Sequence, residues 1–351
     1  CYNIEETTEL VLEESGLVGE IPSEIGDLIN LTELILLNNQ LTGEIPSEIG
    51  NLINLEYLEL EGNQLTGEIP QSIGNLTELI RLNFLFNQLT GEIPSEIGNL
   101  TNLTELGLCY NQLTGEIPSE IGEMTDLFLL CLNTNQLIGE IPSEIGNLIS
   151  LEYLDLGDNH LDGEIPVEFG NLTNLTYLNL GLDLHTDEGG NQLSGEIPSE
   201  IWNFTRLELL VLSNNQFIGE IPSEIGNLTN LTWLDLSNNF FSGEFPYSIC
   251  DLGFFDYYSL GENKLCPPYP DCLTEEDIGY QDTSECIECE GEYGDLNQDG
   301  FLDVLDIVTG VNIIIENISY TDCQLYLLDF NGDGSTDVLD IVGMVNYIIF
   351  D

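Results

Sequence analysis

Apolar residues recur along the chain with a spacing that fits neither one long helix nor a plain run of strands. The unit is LxxLxLxxNxLxGEIPSEIGNLxN, carried for example by Leu31, Leu34, Leu36, Asn39, Leu41, Gly43, Ile45, Pro46, Ile49 and Leu52. Its glycine returns at 19, 43, 67, 91, 115, 139, 163, 195, 219 and 243, so every interval is 24 residues except one of 32. A fixed period in this range marks stacked units that bury their apolar side only against their neighbours. Within a unit, LxL puts Leu34 and Leu36 on one face of a short strand and turns Ile35 to the other, so one strand per coil stacks in parallel. The polar residue closing each strand (Asn39, Asn63, Asn87, Asn111, Asn135, Asn159, Asn191, Asn215, Asn239, Asn263) would be costly inside unless its amide bonds the turn backbone, which predicts an asparagine ladder. Glycine permits the following bend, proline ends a second extended segment, and SEIGNL suits a short helical turn on the opposite side.

These residues resemble the leucine-rich-repeat family, and LxGxIP resembles its plant-type subclass, over Thr7 to Leu265 in about eleven coils. The resemblance implies an α/β repeat solenoid with a parallel concave sheet, short 3-10 or helical segments on the convex side, a second set of short strands near LTGEIP, and a non-catalytic scaffolding role. At the same outward place of their coils stand Tyr57, Tyr153, Tyr177, Trp233 and Tyr257, one per coil, candidates for binding a carbohydrate or peptide on the concave face. Their bland alternative is that they only pave an exposed sheet. The long interval contains an eight-residue insertion near 182–189, LDLHTDEG, expected to project as a loop. N-x-T sequons arise from the repeat consensus itself and are poor evidence of glycosylation.

Near the C-terminus the pattern changes to two acidic loops, GDLNQDGFLDVLDIV and LDFNGDGSTDVLDIV, 34 residues apart. Asp295, Asn297, Asp299, Gly300, Phe301, Asp303 and Asp306 fill places 1, 3, 5, 6, 7, 9 and 12 of a twelve-residue loop, and Asp329, Asn331, Asp333, Gly334, Ser335, Asp337 and Asp340 repeat them. Hard oxygen ligands at 1, 3, 5, 9 and 12, a backbone carbonyl at 7 and glycine at 6 are what Ca²⁺ requires, so two ions are expected. Place 12 is Asp where a calcium hand of the helix-loop-helix type has Glu, and a helical segment follows each loop without one clearly preceding it. Loop followed by helix, twice, resembles the type I dockerin, a small all-α module that attaches secreted proteins to a cohesin partner. The resemblance covers Gly291 to Asp351 and implies partner contacts through Val304, Leu305, Val338 and Leu339, in either of two orientations. The expected domains are the solenoid (1–249), the last repeat with a cysteine-rich cap (250–290), and the dockerin-like module (291–351).

With 64 acidic and three basic residues the chain carries a formal charge of −61, which excludes nucleic acid as a partner. The glutamate after each motif glycine (Glu20, Glu44, Glu68 and onward) forms a column at about 4.8 Å spacing, where like charges repel by about 1 kcal/mol per pair even at the dielectric of water. A saline, calcium-bearing or acidic medium would permit this. No run of eighteen apolar residues occurs, so no membrane span is expected. Six of the nine cysteines crowd into 250–323, which points to an oxidising, extracellular or cell-surface setting. Cys250, Cys266, Cys272 and Cys286 are expected to form two bridges of open connectivity, and Cys289 and Cys323 a third. The CxxC of Cys286 and Cys289 lacks the companions of a zinc site. Cys109 and Cys131, diagonal on adjacent strands, are expected to be free thiols. The sequence begins at Cys1 without Met or signal peptide, as a processed secretory product does, and that cysteine is a candidate for lipidation or for a disulfide. No nucleophile motif, His cluster or phosphate loop appears, so an enzyme is not expected. The leading expectation is a calcium-dependent attachment protein, its partner a cohesin-like domain or another copy of itself in a head-to-tail filament; the second is a tethered sugar- or peptide-recognition module.

Overall fold

The computed structural model describes residues 6–182, 189–252, 257–286, 293–297, 300–315, 324, 327–331 and 336–350. Two compact units are present, residues 1–282 and 283–351. In the first, eleven three-residue strands run in chain order through one parallel sheet, from Glu9–Val11 to Tyr257–Ser259. Each strand pairs with the residues one period on, as in Glu33 with Tyr57 and Leu34 with Leu58. The middle residue turns inward, and Leu34, Leu58, Leu82 and Leu106 are wholly buried. The register holds across the long interval, where Tyr177 pairs with Leu209. The insertion is thus absorbed after the strand; most of the expected loop, 183–188, lies outside the described residues.

On the second side, short strands near LTGEIP form further parallel sheets of three, four and four strands. Single bridges, Glu68 to Thr90 and Glu164 to Ser194, join them where the ladder is interrupted. The motif glycine is required here for two reasons. Gly43 has φ +77, and a Cβ there would meet Cγ of Glu20 from the preceding coil at 2.7 Å. The same contact recurs between Glu44 and Gly67, so the glutamates of the acidic column lie over the next glycine. Repulsion along this column costs about 1 kcal/mol per pair at most in water, while each buried Leu or Ile contributes about 1.5–3 kcal/mol. One coil buries several such side chains, so packing wins. On the convex side every SEIGN-type segment is a 3-10 turn opened by proline, for example Ser47–Asn51 after Pro46.

The asparagine ladder is present. Asn63 Nδ2 donates to Leu36 O of the preceding coil (3.0 Å) and to Leu60 O of its own (3.0 Å), while its Oδ1 accepts from Leu41 N (3.0 Å). Asn135 repeats this with Leu108 O, Leu132 O and Leu113 N, each at 3.0 Å. The final coil ends differently. Gln281, outside the repeat, donates to Leu260 O and Ile278 O and accepts from Leu265 N, filling the place of the next ladder asparagine. A short helix, Glu275–Ile278, closed by a Thr274/Asp277 capping box, brings it there.

The cysteines correct one expectation. Cys109 and Cys131 are disulfide-bonded, with Cα atoms 5.5 Å apart, well within bridging range. The residue opposite Cys131 in the ladder is Gly107, which has no side chain to intervene, and the chain after Cys109 turns out of the strand through Tyr110 at φ 55. Both effects bring the diagonal pair together. Cys250 is bonded to Cys272, and Cys266 and Cys286 are each disulfide-bonded. Cys1, Cys289 and Cys323 lie outside the described residues.

In the second unit, helices Val304–Ile314 and Val338–Phe350 pack over a small core of Leu296, Ile313, Leu327, Leu328 and Met344. Among the described residues no helix is long and apolar enough to cross a membrane.

The ladder makes a quantitative demand. Asn135→Ala strands one buried N–H, that of Leu113, at about 1–3 kcal/mol, while Leu108 O and Leu132 O each lose one amide donor and keep the other, from Asn111 and Asn159. Unfolding stability is expected to fall by about 1–3 kcal/mol, read as a lower urea midpoint at unchanged slope. Gln136→Ala, on an exposed neighbour, should shift it by under about 0.5 kcal/mol.

Candidate functional site

Two surfaces carry chemistry. On the sheet, strict register stacks the outward side chains, and four of the five expected aromatics fall into two pairs. Tyr153 and Tyr177 have ring centroids 4.1 Å apart, and Trp233 and Tyr257 4.3 Å apart, with interplanar angles of 16° and 21°. Tyr57 stands apart, between Glu33 and Arg81. Beneath the first pair sits buried Asp155, whose Oδ2 accepts from both tyrosine hydroxyls at 3.2 Å and whose Oδ1 accepts from Gly157 N at 3.1 Å. Burial first, and the Asp155 charge second, push both phenols well above the ordinary tyrosine range, so both stay protonated donors. Beside the second pair lies Asp235, which accepts from Ser237 N (3.0 Å) and Oγ (2.6 Å). Burial raises its pKa from the usual carboxylate value, and the Ser237 bonds oppose this only in part.

Three further features lie on or beside this face. Arg81 is clamped between Glu59 (3.3 Å) and Glu105 on the flanking strands. Phe86 and Tyr110 stack at 4.3 Å from the corner position preceding the ladder asparagine. The Cys109–Cys131 bridge crosses the same face. The one available clue was spacing: Glu59, Arg81 and Glu105 alternate in sign at intervals of 22 and 24 residues.

The second surface is the pair of acidic loops. Asp306, at place 12 of the first, is wholly buried and accepts from Asn297 N (3.1 Å) and Asp303 N (2.8 Å). Asp340 does the same with Asn331 N (3.2 Å) and Asp337 N (2.8 Å). Buried Asp295 accepts from Gly300 N, which turns the loop at φ 85. Asp303 and Asp337 each cap the following helix by accepting from Leu305 N and Leu339 N. Places 3, 9 and 12 are therefore bonded alike in the two loops. Phe301 and Asp329 are among the described residues, whereas Asp299, Asp333 and Ser335 lie outside them. Among the described residues no group of three acidic, His or Cys side chains is gathered as a metal site. Yet residues 283–351 contain no Lys, Arg or His to neutralise the buried carboxylates, and burying an uncompensated charge is costly. This donor set fits a hard divalent cation.

Just past the loops the helices expose matching apolar residues. Val304 and Val338 are both 63% exposed, Leu305 and Leu339 60% and 58%, and Val308 and Val342 51% and 50%.

Leucine-rich-repeat models match residues 10–137, and again 150–172, 206–228 and 230–252. The solenoid belongs to the leucine-rich-repeat family. Similar solved structures include the plant peptide hormone receptor RGFR1 in complex with RGF2, 38% identical over 73% of this chain and 44% of that one, with a TM-score of 0.66. The Arabidopsis receptor kinase HAESA ectodomain, in complex with an extended IDA peptide hormone, is 35% identical over 76% and 44%, with a TM-score of 0.66. A leucine-rich-repeat protein of Leptospira interrogans, LIC12759, is 35% identical over 72% and 60%, with a TM-score of 0.57. The chain thus spans under half the length of the two plant chains. Among curated protein sequences none matches.

Asp235 supplies a pH test. A carboxylate whose folded pKa is raised loses stability as pH climbs from its unfolded value through the folded one. Asp235→Asn keeps an acceptor for Ser237 and removes the charge. It should therefore raise the urea midpoint relative to the parent at pH 7, with an advantage that shrinks toward zero as pH falls below about 4.

Proposed function

We propose that the protein is a non-catalytic extracellular interaction module. Its solenoid recognises a peptide or protein on the concave sheet, and its C-terminal unit is a dockerin-like, calcium-dependent attachment device. The observation that carries the attachment reading is the duplicated apolar turn. Val304, Leu305 and Val308 on one helix, and Val338, Leu339 and Val342 on the other, expose the same residue types to nearly the same extent. Exposed apolar groups in equivalent places on both helices are what a docking surface offers a partner. The partner is a cohesin-like domain or a second copy of the chain, the latter giving a head-to-tail filament when contacts do not close.

In this reading Asp295, Asn297, Asp299, Asp303 and Asp306, with the Phe301 carbonyl, hold one Ca²⁺. Asp329, Asn331, Asp333, Asp337 and Asp340, with the Ser335 carbonyl, hold the second. The ions supply counter-charge and hold each loop against its helix. Support comes from the like hydrogen bonding of Asp306 and Asp340 and from the absence of any basic residue in 283–351. Recognition on the solenoid is supported by the stacked aromatics and by the likeness to receptor ectodomains in complex with peptide hormones. The disulfides suit an oxidising exterior.

Calorimetric titration of the metal-stripped chain should show two calcium ions, with Asp306→Ala and Asp340→Ala each removing one. A chain that takes up no calcium would defeat the attachment reading. With calcium, the paired change Leu305→Asp and Leu339→Asp should abolish partner capture or self-association, read by sedimentation, while either change alone leaves it largely intact. Sedimentation as monomers at high concentration with calcium would exclude the self-assembling version.

A further inference from the structure

We propose that the C-terminal half of the concave sheet binds a basic peptide, holding an arginine or lysine side chain in the slot between Tyr177 and Trp233. The proposal rests on the concave sheet being the recognition surface and adds the chemical class of its ligand. Tyr177, Leu209 and Trp233 occupy one row on three successive strands. Tyr177 has one ring face covered by Tyr153, and Trp233 has one covered by Tyr257. Stacking runs along the row, so the uncovered faces of Tyr177 and Trp233 look toward each other across Leu209. Two strand spacings separate them by about 10 Å, which leaves about 6 Å between the ring surfaces. That is room for one planar guanidinium or one alkylammonium stem, with half-buried Leu209 as the floor. A cation over the face of Trp or Tyr is attracted by the ring quadrupole.

Charge selects the cation over a neutral stacking partner. Asp155 lies against Tyr177 on one side of the slot and Asp235 follows Trp233 on the other. The strands of the sheet carry Glu9, Glu33, Glu59, Glu105, Asp155 and Asp235 against the single cation Arg81, which Glu59 and Glu105 already hold. Arg206, on the flank, is engaged by Glu152 and Asn174, and Lys264 lies on the lateral strands. An anionic ligand would meet this field with repulsion, and a basic one is drawn in. Trp233 Nε1 is buried without a hydrogen-bond partner.

The slot contains its own reporter. The chain has two tryptophans, and Trp202 is buried in the solenoid core. In the 351-residue Trp202→Phe chain with calcium, Trp233 fluorescence is titrated with a GRGRGR peptide amide, its GNGNGN and GEGEGE counterparts, and cellohexaose. The arginine peptide should change the fluorescence saturably and bind at least tenfold tighter than any other probe. Leu209→Tyr, which fills the slot without removing a ring, and Tyr177→Ala should each weaken it at least tenfold, while Tyr57→Ala leaves it unchanged. Circular dichroism and urea midpoints establish that each variant is folded; Leu209→Tyr carries the test if Tyr177→Ala is not. Equal or tighter binding of a neutral or acidic probe that moves Trp233 overturns the basic class and keeps concave recognition. Arginine-peptide binding indifferent to the slot variants is diffuse attraction to the acidic chain and overturns the proposal. No response to any probe overturns the proposal and counts against concave recognition.

Discussion

The solenoid depends on one side-chain amide repeated at each corner. A buried asparagine must satisfy two donors and an acceptor, and in each coil it does so by reaching its own turn, the coil before it and the strand that follows the preceding corner. No other placement of the next coil completes all three bonds. The amide therefore fixes where each coil sits, and a slip of one residue would strand buried polar groups at about 1–3 kcal/mol apiece. Leucine burial supplies most of the driving force but is indifferent to register, because one buried Leu packs against another in many offsets. The ladder selects among those offsets. Gln281 shows that the demand is chemical: at the last coil a longer side chain from a different local structure makes the same three kinds of bond.

Register then propagates outward. Because equivalent residues face one another along the sheet, whatever occupies an outward place forms a row at the strand spacing. Rings so placed stack, which is why Tyr153 meets Tyr177 and Trp233 meets Tyr257 at 4.1 and 4.3 Å. Charges of alternating sign clamp, as Glu59, Arg81 and Glu105 do. Charges of one sign are spread by lying over the next coil's glycine, as Glu20 does over Gly43. A single geometric rule yields attraction, stacking or mere tolerance according to the side chain.

This explains what was legible in the sequence. Features that repeat in the unit (strand, ladder, motif glycine, convex turn) could be read because one chemical argument applied ten times over. Features made by one exception could not. The Cys109–Cys131 bridge depends on Gly107 bringing no side chain opposite Cys131 and on Tyr110 turning the chain, neither of which the repeat consensus encodes. Gln281 lies outside the period, and its role follows from a helix that positions it. The Phe86–Tyr110 pair occupies a corner where other coils place Asn, Gly, Thr, Asp or Glu. In the second unit the likeness of the two loops was legible because their spacing is local in sequence, and both place-12 carboxylates accept from the backbone of places 3 and 9. The near-equal exposure of the two helices needed the fold, since apolar residues line both the buried and the open sides of each.

The charge balance links the two candidate sites. Arg81 and Arg206 are held by glutamates, and Lys264 is the one remaining Lys or Arg in the whole chain. Buried Asp306 and Asp340 receive two backbone N–H groups each, and Asp155 receives two hydroxyls and one N–H. Such bonds stabilise a carboxylate but bring no formal positive charge. Elsewhere in proteins that role falls to Lys and Arg, and here the sequence has almost none to give. Net counter-charge must then come from outside the chain, and dissolved salt along the exposed columns is one source of it. The exposed carboxylates are thus tolerated through screening, and the buried ones through the N–H and O–H groups aimed at them.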